Sequence, residues 1–173
     1  SVLLDRGKQG NGILSRYTIL NSRHESFHFQ DRQGRSFLHA RLQLDAQEAE
    51  GKVVSVICTH FGLLRQERQF QADRLTHYIE TKIDPAEAFI IGGDFNDWRS
   101  ELSPYWEKRL QVVEVHRSHS GQHARTFPAF FPLLSLDRIY VRNLQIQTAR
   151  VCGEAGWRGS SDHLPLAAEL LLR

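Results

Sequence analysis

Apolar positions in this chain fall into short runs of two kinds, and their spacing predicts most of its elements. Val53-Val54-Ser55-Val56-Ile57-Cys58-Thr59-His60 is a nearly continuous apolar run, the pattern of a strand covered on both faces. Phe89-Ile90-Ile91 makes a second short buried strand, ended by Gly92 and Gly93. From Phe37 to Leu44 the pattern alternates instead, which puts Leu38, Ala40, Leu42 and Leu44 on one buried face. Residues 12–16, Val112 to Val115, Arg138 to Val141 and Leu144 to Val151 are further strand candidates, and Ala167 to Leu172 reads as a last buried strand. Helical spacing runs from Arg65 to Lys82, with Phe70, Leu75, Tyr78 and Ile79 as its apolar stripe and Pro85 closing it. Ser103-Pro104 starts a short helix to Leu110, and Asp45 to Lys52 reads as a polar turn. Alternating helices and strands followed by a strand-rich C-terminal half predict an α/β (α+β) unit, two packed sheets flanked by helices. No linker or repeat interrupts it, so residues 1–173 are expected to form a single domain.

Composition narrows the picture only a little. With 24% charged and 40% hydrophobic residues the chain is an ordinary globular one. A formal net charge of +2 and a pI near 8.7 neither demand nor exclude a polyanionic partner. Cys58 and Cys152 lie far apart without metal-site spacing, and Cys58 on a buried strand favours a reducing compartment. The expected location is therefore cytoplasmic; no run approaches the length of a membrane-spanning helix and no cleavable leader pattern stands out, but in a chain expected to be truncated these absences do not bear on location.

The candidate chemistry gathers at strand ends. In Gly93-Asp94-Phe95-Asn96 a carboxylate and a carboxamide emerge two positions apart, on one face of an extended segment. A carboxylate offers charge to a hard cation, and a carboxamide offers donor and acceptor to an oxyanion. Taken alone, the segment suits a simple Gly-Asp-Asn turn equally well. Ser160-Ser161-Asp162-His163 leads into the last strand. Adjacent strand residues face opposite ways, so Asp162 and His163 can serve one centre only if the backbone turns there, as the two serines allow. Asp137, in Leu136-Asp137-Arg138-Ile139, would with His163 form a carboxylate–imidazole dyad that fixes the tautomer and raises basicity. The Asp137-Arg138 step equally suits a structural ion pair. His60 ends the row Val54, Val56, Cys58, His60. Three strands and one strand start thus carry the residue types that metal-assisted phosphate chemistry needs. The other histidines, His24, His28, His39, His77, His116, His119 and His123, form no ligand pattern.

Gly10-Asn11-Gly12-Ile13-Leu14-Ser15-Arg16, Thr59-His60, Gly93-Asp94-Phe95-Asn96, Leu136-Asp137-Arg138-Ile139 and Ser161-Asp162-His163-Leu164-Pro165-Leu166 resemble, in this order, the signatures of the endonuclease/exonuclease/phosphatase superfamily. That superfamily includes pancreatic-type deoxyribonuclease, abasic-site endonucleases, neutral sphingomyelinases and inositol polyphosphate 5-phosphatases. The resemblance spans residues 10–172 and implies a four-layer α/β/β/α sandwich of two mixed sheets. It also implies hydrolysis of phosphate esters, nuclease-like, by a water activated by His163 and a bound metal. In that reading Asp94 orients the water or touches the metal, and Asn96 holds a phosphoryl oxygen. His163, steered by Asp137, is the general base. His60 donates to the phosphate. Asp162 and Asp94 hold Mg²⁺, for which Mn²⁺ is a possible substitute. Asn11, Arg65, Arg125, Thr126 and Phe127 are the expected substrate contacts.

One departure stands out. The family opens with a strand bearing an Asn and a second strand bearing a metal-binding Glu, and Ser1 to Gln9 contains neither motif. Glu25, in a polar stretch, and Glu67, in a predicted helix, do not replace that Glu. The expectation is therefore an N-terminally truncated domain, a fragment that binds metal weakly and falls short of full metal-dependent turnover or is inactive, with one sheet edge exposed. A nucleic acid or another phosphodiester is the expected partner of a monomeric chain. The alternatives are a lipid or inositol phosphate phosphoesterase, or a non-catalytic phosphate-binding domain that lost its metal Glu. Two segments bear on substrate. Arg65 and Arg68 follow His60 and suit either a phosphate or a solvated helix start. The basic, aromatic segment His123 to Leu134 leads to Asp137, where Phe127 and Phe130 suit a base or a lipid. The competing expectation is that Phe130 and Phe131 plug this loop into the core.

Overall fold

The computed structural model describes residues 2–4, 7–29, 34–44 and 51–172. Its strands are β1 (Val2–Leu4), β2 (Gly7–Gln9), β3 (Thr18–Phe27), β4 (Arg35–Gln43), β5 (Val53–His60), β6 (Ala88–Asp94), β7 (Val113–Glu114), β8 (Asp137–Arg142), β9 (Leu144–Val151) and β10 (Leu166–Leu172). Its helices are α1 (Arg65–Lys82), α2 (Leu102–Leu110), α3 (Val115–Ser120) and the single turn α4 (Ala155–Arg158). The main sheet has the order β3-β4-β5-β6-β8-β7. Every pairing in it is antiparallel except β5 with β6, the parallel step that α1 bridges. β9 and β10 form a separate antiparallel pair, and β1 and β2 another.

Both faces of the main sheet are covered, as the continuous apolar runs of β5 and β6 require. On one face Ile57, Phe89 and Ile91 pack beneath Ala72, Leu75 and Ile79 of α1 and Trp106 of α2. Edge-to-face rings tie this core together, with Phe95 and Trp106 centroids 5.3 Å apart and Trp106 and Tyr140 5.1 Å apart. The polar tips are satisfied: Trp106 Nε1 donates to Thr76 Oγ1 at 3.0 Å, and the Tyr140 and Ser103 hydroxyls lie 2.9 Å apart. Burial pushes the Tyr140 phenol up to about 12. On the other face Val54, Ala88, Val115 and Val141 meet Leu144, Ile146, Ala168 and Leu170 of the β9–β10 pair. Each fully buried apolar side chain contributes roughly 1.5–3 kcal/mol, so the two clusters together carry the sheet stack. The architecture is the expected mixed α/β stack; among the described residues its second sheet has only two strands.

Several elements depart from the sequence pattern. Residues 12–16 form no strand: Ile13-Leu14 is a coil in which Leu14 is wholly exposed. The strand of this region is β3, whose residues Thr18 to His24 are exposed, so no buried face advertised it. In β4 the expected one-sided burial becomes two-sided. Phe37 and His39 are buried with Ala40 and Leu42, whereas Leu38 and Leu44 are only half-buried. His39 is a satisfied core histidine, 2.9 Å from both the Tyr78 hydroxyl and Ser55 Oγ, and burial holds its pKa below the usual value. On α1 the buried stripe includes Glu67, Arg68 and Gln71, while Phe70 and Tyr78 stay half-buried. Of the turn expected at Asp45 to Lys52, residues 45–50 lie outside the described residues; Leu44 N–H donates to the Lys52 carbonyl at 2.9 Å.

The run Val112 to Val115 is a strand only at Val113–Glu114, because Glu114 turns it into α3. Its carboxylate accepts the His116 and Arg117 N–H groups at 3.2 and 2.7 Å and lies 2.9 Å from His123 Nδ1. Burial alone would raise the Glu114 pKa, but these donors outweigh it and hold the carboxyl below the usual range. A depressed carboxylate stabilises the fold above its ordinary pKa, and that stabilisation is lost as pH falls through the native value. Glu114→Ala is expected to cost about 1 kcal/mol in urea unfolding at neutral pH, the scale of a lost helix cap. The gap between the two proteins should close on acidification below the ordinary glutamate range.

Candidate active site

Strand register builds the centre of the site. His60 of β5 pairs with Asp94 of β6, and Asp94 pairs with Asp137 of β8. The three residues therefore stand in one row across three neighbouring strands, roughly 4.8 Å from strand to strand, and directly paired residues share a face. Gly93 makes the approach of β5 and β6 possible, since a Cβ there would lie 1.9 Å from the Thr59 carbonyl oxygen. His163 arrives from the loop before β10. That loop is pinned by Leu164 N–H to the Thr126 carbonyl at 2.9 Å and by Ala129 N–H to the Asp162 carbonyl at 2.8 Å. The expected backbone turn is present: His163 N–H donates to Ser161 Oγ at 3.1 Å.

Hydrogen bonds assign the two imidazoles opposite proton positions. His163 Nδ1 lies 2.7 Å from Asp137 Oδ2, so Nδ1 carries the proton and Nε2 presents a lone pair. Burial disfavours the His163 cation, but the Asp137 hydrogen bond and the charges of Asp137, Asp94 and Asp162 outweigh it and raise its pKa. The imidazole lies against the Phe127 ring, with centroids 4.9 Å apart. His60 is the reverse case. Its Nδ1 is 3.2 Å from an Arg35 nitrogen, and a guanidinium only donates, so Nδ1 accepts and the proton sits on Nε2. That Nε2 is 3.3 Å from Asp94 Oδ2. Burial, then the Arg35 charge, hold the His60 pKa down and keep the ring neutral. Burial also pushes the Asp137 carboxyl up, against the pull of Thr126 and His163.

Ligand atoms of Asp94, Asp137 and His163 lie within 4.8 Å of one another. Two carboxylates beside an imidazole fit a divalent cation that keeps several waters. Asp137 and His163 also line an open cleft of about 330 Å³ with Gly93, Ser161, Pro165 and Leu166.

The remaining candidates are distributed around this centre. Asn96 is buried in the left-handed region, with φ of 49°, where asparagine is tolerated. Its N–H donates to Asp94 Oδ1 at 2.8 Å and its amide donates to the Phe61 carbonyl at 2.9 Å, which ties the loops after β6 and β5 together. Asn11 donates to the Ser36 carbonyl at 2.6 Å, an oxygen that Thr59 Oγ1 also reaches at 3.2 Å, beside His60. Thr126 is fully buried and Arg125 is exposed. Asp162 is exposed and stands outside the cluster of Asp94, Asp137 and His163. Arg65 is turned to Glu101, 3.0 Å away. Arg68 is buried and spends itself on the Leu63 carbonyl at 2.6 Å and the face of Trp98 at 4.5 Å. Phe130 and Phe131 do not plug the core; they are 78% and 62% exposed.

Sequence reasoning missed Arg35, which assigns the His60 tautomer, and the true partner of Arg138. Arg138 pairs not with Asp137 but with Asp97, at 2.7 Å, both about 1% exposed. The cue was Asp97 just after Asn96, but a sequence cannot say which buried carboxylate meets which arginine.

A model of the Endonuclease/Exonuclease/phosphatase family matches residues 3–163. The chain belongs to this family. Its members are phosphoesterase hydrolases. The chain is 35% identical over 166 residues to the uncharacterized protein YbhP of Escherichia coli K12, a match covering 96% of this chain and 64% of that protein. It thus spans slightly under two-thirds of the length of this curated relative. Two solved structures share the fold. An endonuclease/exonuclease/phosphatase from Bacteroides vulgatus superposes with a TM-score of 0.73 at 19% identity, over 91% of this chain and 67% of that one. The mannosyl-6-phosphatase Bt3783 of Bacteroides thetaiotaomicron superposes with a TM-score of 0.74 at 16% identity, over 90% and 67%. Among the described residues no helix is long and apolar enough to cross a membrane.

The buried Asp97–Arg138 pair links the loop after β6 to the start of β8. Arg138→Met is expected to destabilise the chain by about 3–5 kcal/mol, because it strands the Asp97 charge in the interior. Urea unfolding measures this, and the Asp97→Leu/Arg138→Met double variant should recover part of the loss.

Proposed function

We propose that this domain hydrolyses phosphate esters with a water activated by the Asp137–His163 dyad. The observation that carries the reading is the 2.7 Å contact from His163 Nδ1 to Asp137, within 4.8 Å reach of Asp94. His163 Nε2 takes a proton from water as the oxygen attacks phosphorus, and the bond from phosphorus to the leaving oxygen breaks. The neutral His60, with its Nε2–H in the same row, donates to a phosphoryl oxygen as negative charge builds on it. Asp94 orients the attacking water. Asn96 and Gly93 hold Asp94 in place, and Phe127 holds the His163 ring. Asp94 and Asp137 would hold Mg²⁺ or Mn²⁺, with Asp162 outside their cluster, and a cation bound there would neutralise charge on the phosphate.

Both diesters and monoesters suit this centre, and the fold accommodates a sugar-phosphate phosphatase such as Bt3783. A panel of bis(p-nitrophenyl) phosphate, p-nitrophenyl phosphate, single-stranded and duplex DNA, RNA and phospholipid, with Mg²⁺, Mn²⁺ or chelator, tests the reading. Asp94→Ala and His163→Ala are each expected to lower turnover at least about a hundredfold without shifting the thermal midpoint downward. Near wild-type rates in either variant would overturn the assignment. Chelator should abolish turnover and added Mg²⁺ or Mn²⁺ should restore it.

A further inference from the structure

The loop between α3 and β8 presents apolar side chains outward in a fixed conformation. Phe130, Phe131, Leu133 and Leu134 are 78%, 62%, 55% and 41% exposed. Backbone hydrogen bonds hold that arrangement. Phe127 and Leu134 pair reciprocally, at 3.2 and 2.8 Å, Leu133 N–H reaches the Phe127 carbonyl at 2.8 Å, and Phe131 N–H reaches the Pro128 carbonyl at 3.0 Å. An exposed group of large apolar residues in a well-bonded loop signals an interaction surface rather than loose packing. The loop is continuous with the catalytic centre. Phe127 at its base lies against His163, and Ala129 N–H bonds the Asp162 carbonyl. Trp157 is also 48% exposed, and its carbonyl accepts from Ser160 N–H two residues before Asp162.

Charge distinguishes among the possible occupants. From Val115 to Leu136 there is no Asp or Glu, while Arg125 is exposed at the base of the tip. An apolar tip with a cation at its base matches the depth profile of a lipid interface, acyl chains inside and anionic phosphates above. A nucleic acid asks for something else, a track of cations along the backbone and flat rings to stack on. Here the tip joins aliphatic Leu133 and Leu134 to its two rings. Arg65 and Arg68, the nearest candidates in sequence for such a track, are spent on Glu101 and on Leu63 and Trp98.

We infer that the Phe130–Leu134 tip inserts into an anionic lipid surface and seats the adjacent site over phosphate esters carried in that surface. This deepens the hydrolase reading and rests on it for the identity of the site, but insertion itself is independent of turnover. The 173-residue chain is mixed, in chelator, with phosphatidylcholine vesicles with and without phosphatidylglycerol, and binding is read by co-sedimentation. Partition should be about fivefold stronger onto the anionic vesicles, the scale of one cation near a charged surface, and Arg125→Ala should remove that preference. Phe131→Ser/Leu133→Ser should lower partition about tenfold or more while leaving the thermal midpoint unchanged. Asp94→Ala should bind vesicles as wild type does. A wild-type chain that ignores both vesicle types, or a double variant that binds as tightly as wild type, overturns the inference. So does finding that the double substitution instead breaks a self-dimer or abolishes single-stranded DNA binding. An inactive chain that still sediments with anionic vesicles through this tip would remove the hydrolase reading and leave insertion standing. An active chain that ignores vesicles would do the opposite.

Discussion

A single buried ion pair positions almost everything that matters in this site. Arg138 places one nitrogen 2.7 Å from Asp97 Oδ2 and the other 2.6 Å from the Asp97 carbonyl, and reaches Ser100 and the Ser135 carbonyl at 3.2 Å. Asp97 in turn accepts the Glu101 and Leu102 N–H groups that begin α2. Two charges out of water cost several kcal/mol each, and only this density of partners offsets that cost. What the pair secures is geometry. Arg138 follows Asp137 directly, and Asp97 lies three residues beyond Asp94, so one clamp holds both carboxylates of the centre.

The main sheet then sets the spacing. Because His60, Asp94 and Asp137 occupy paired positions on β5, β6 and β8, their separation is that of a β ladder and needs no special loop. Such a row is rigid, being anchored beneath by Ile57, Ile91 and Tyr140, all fully buried. The loops contribute what the ladder cannot, a second imidazole approaching from outside the sheet. The two histidines diverge through their surroundings. Arg35 and burial keep His60 neutral, whereas Asp137 and its neighbouring carboxylates favour the charged form of His163. One side-chain type thereby presents a ring proton at one position and a lone pair at the other.

The surface beside this centre follows a different logic from the interior. Core aromatics such as Phe61, Phe95 and Trp106 meet edge to face and are wholly buried, while Phe130 and Phe131 touch solvent a few residues from a ring that packs on His163. Backbone hydrogen bonds hold the tip of that loop, and Phe127 packs at its base. Apolar exposure so close to a polar centre is the feature of the molecule that stability alone does not explain.

The pattern of apolar residues was enough to locate α1, β5, β6, β8, β9 and β10 closely, because their periodicities record burial, and burial dominates their energetics. It also set Asp94, Asp137, His60 and His163 at strand ends, together with the family they resemble. It failed at β3, whose exposed residues carry no buried stripe, and at residues 12–16, where Ile13 and Leu14 imitate a strand that does not form. It read Phe130 and Phe131 as candidates for the core because hydrophobicity states a tendency and not a location. The partner of Arg138, the tautomer of His60 and the coincidence of three strand ends in one row were decided only by tertiary structure. Arg138 and Asp97 lie 41 residues apart. A sequence records which face of each element seeks burial, but which faces then meet depends on strand register and chain closure, which no local period encodes.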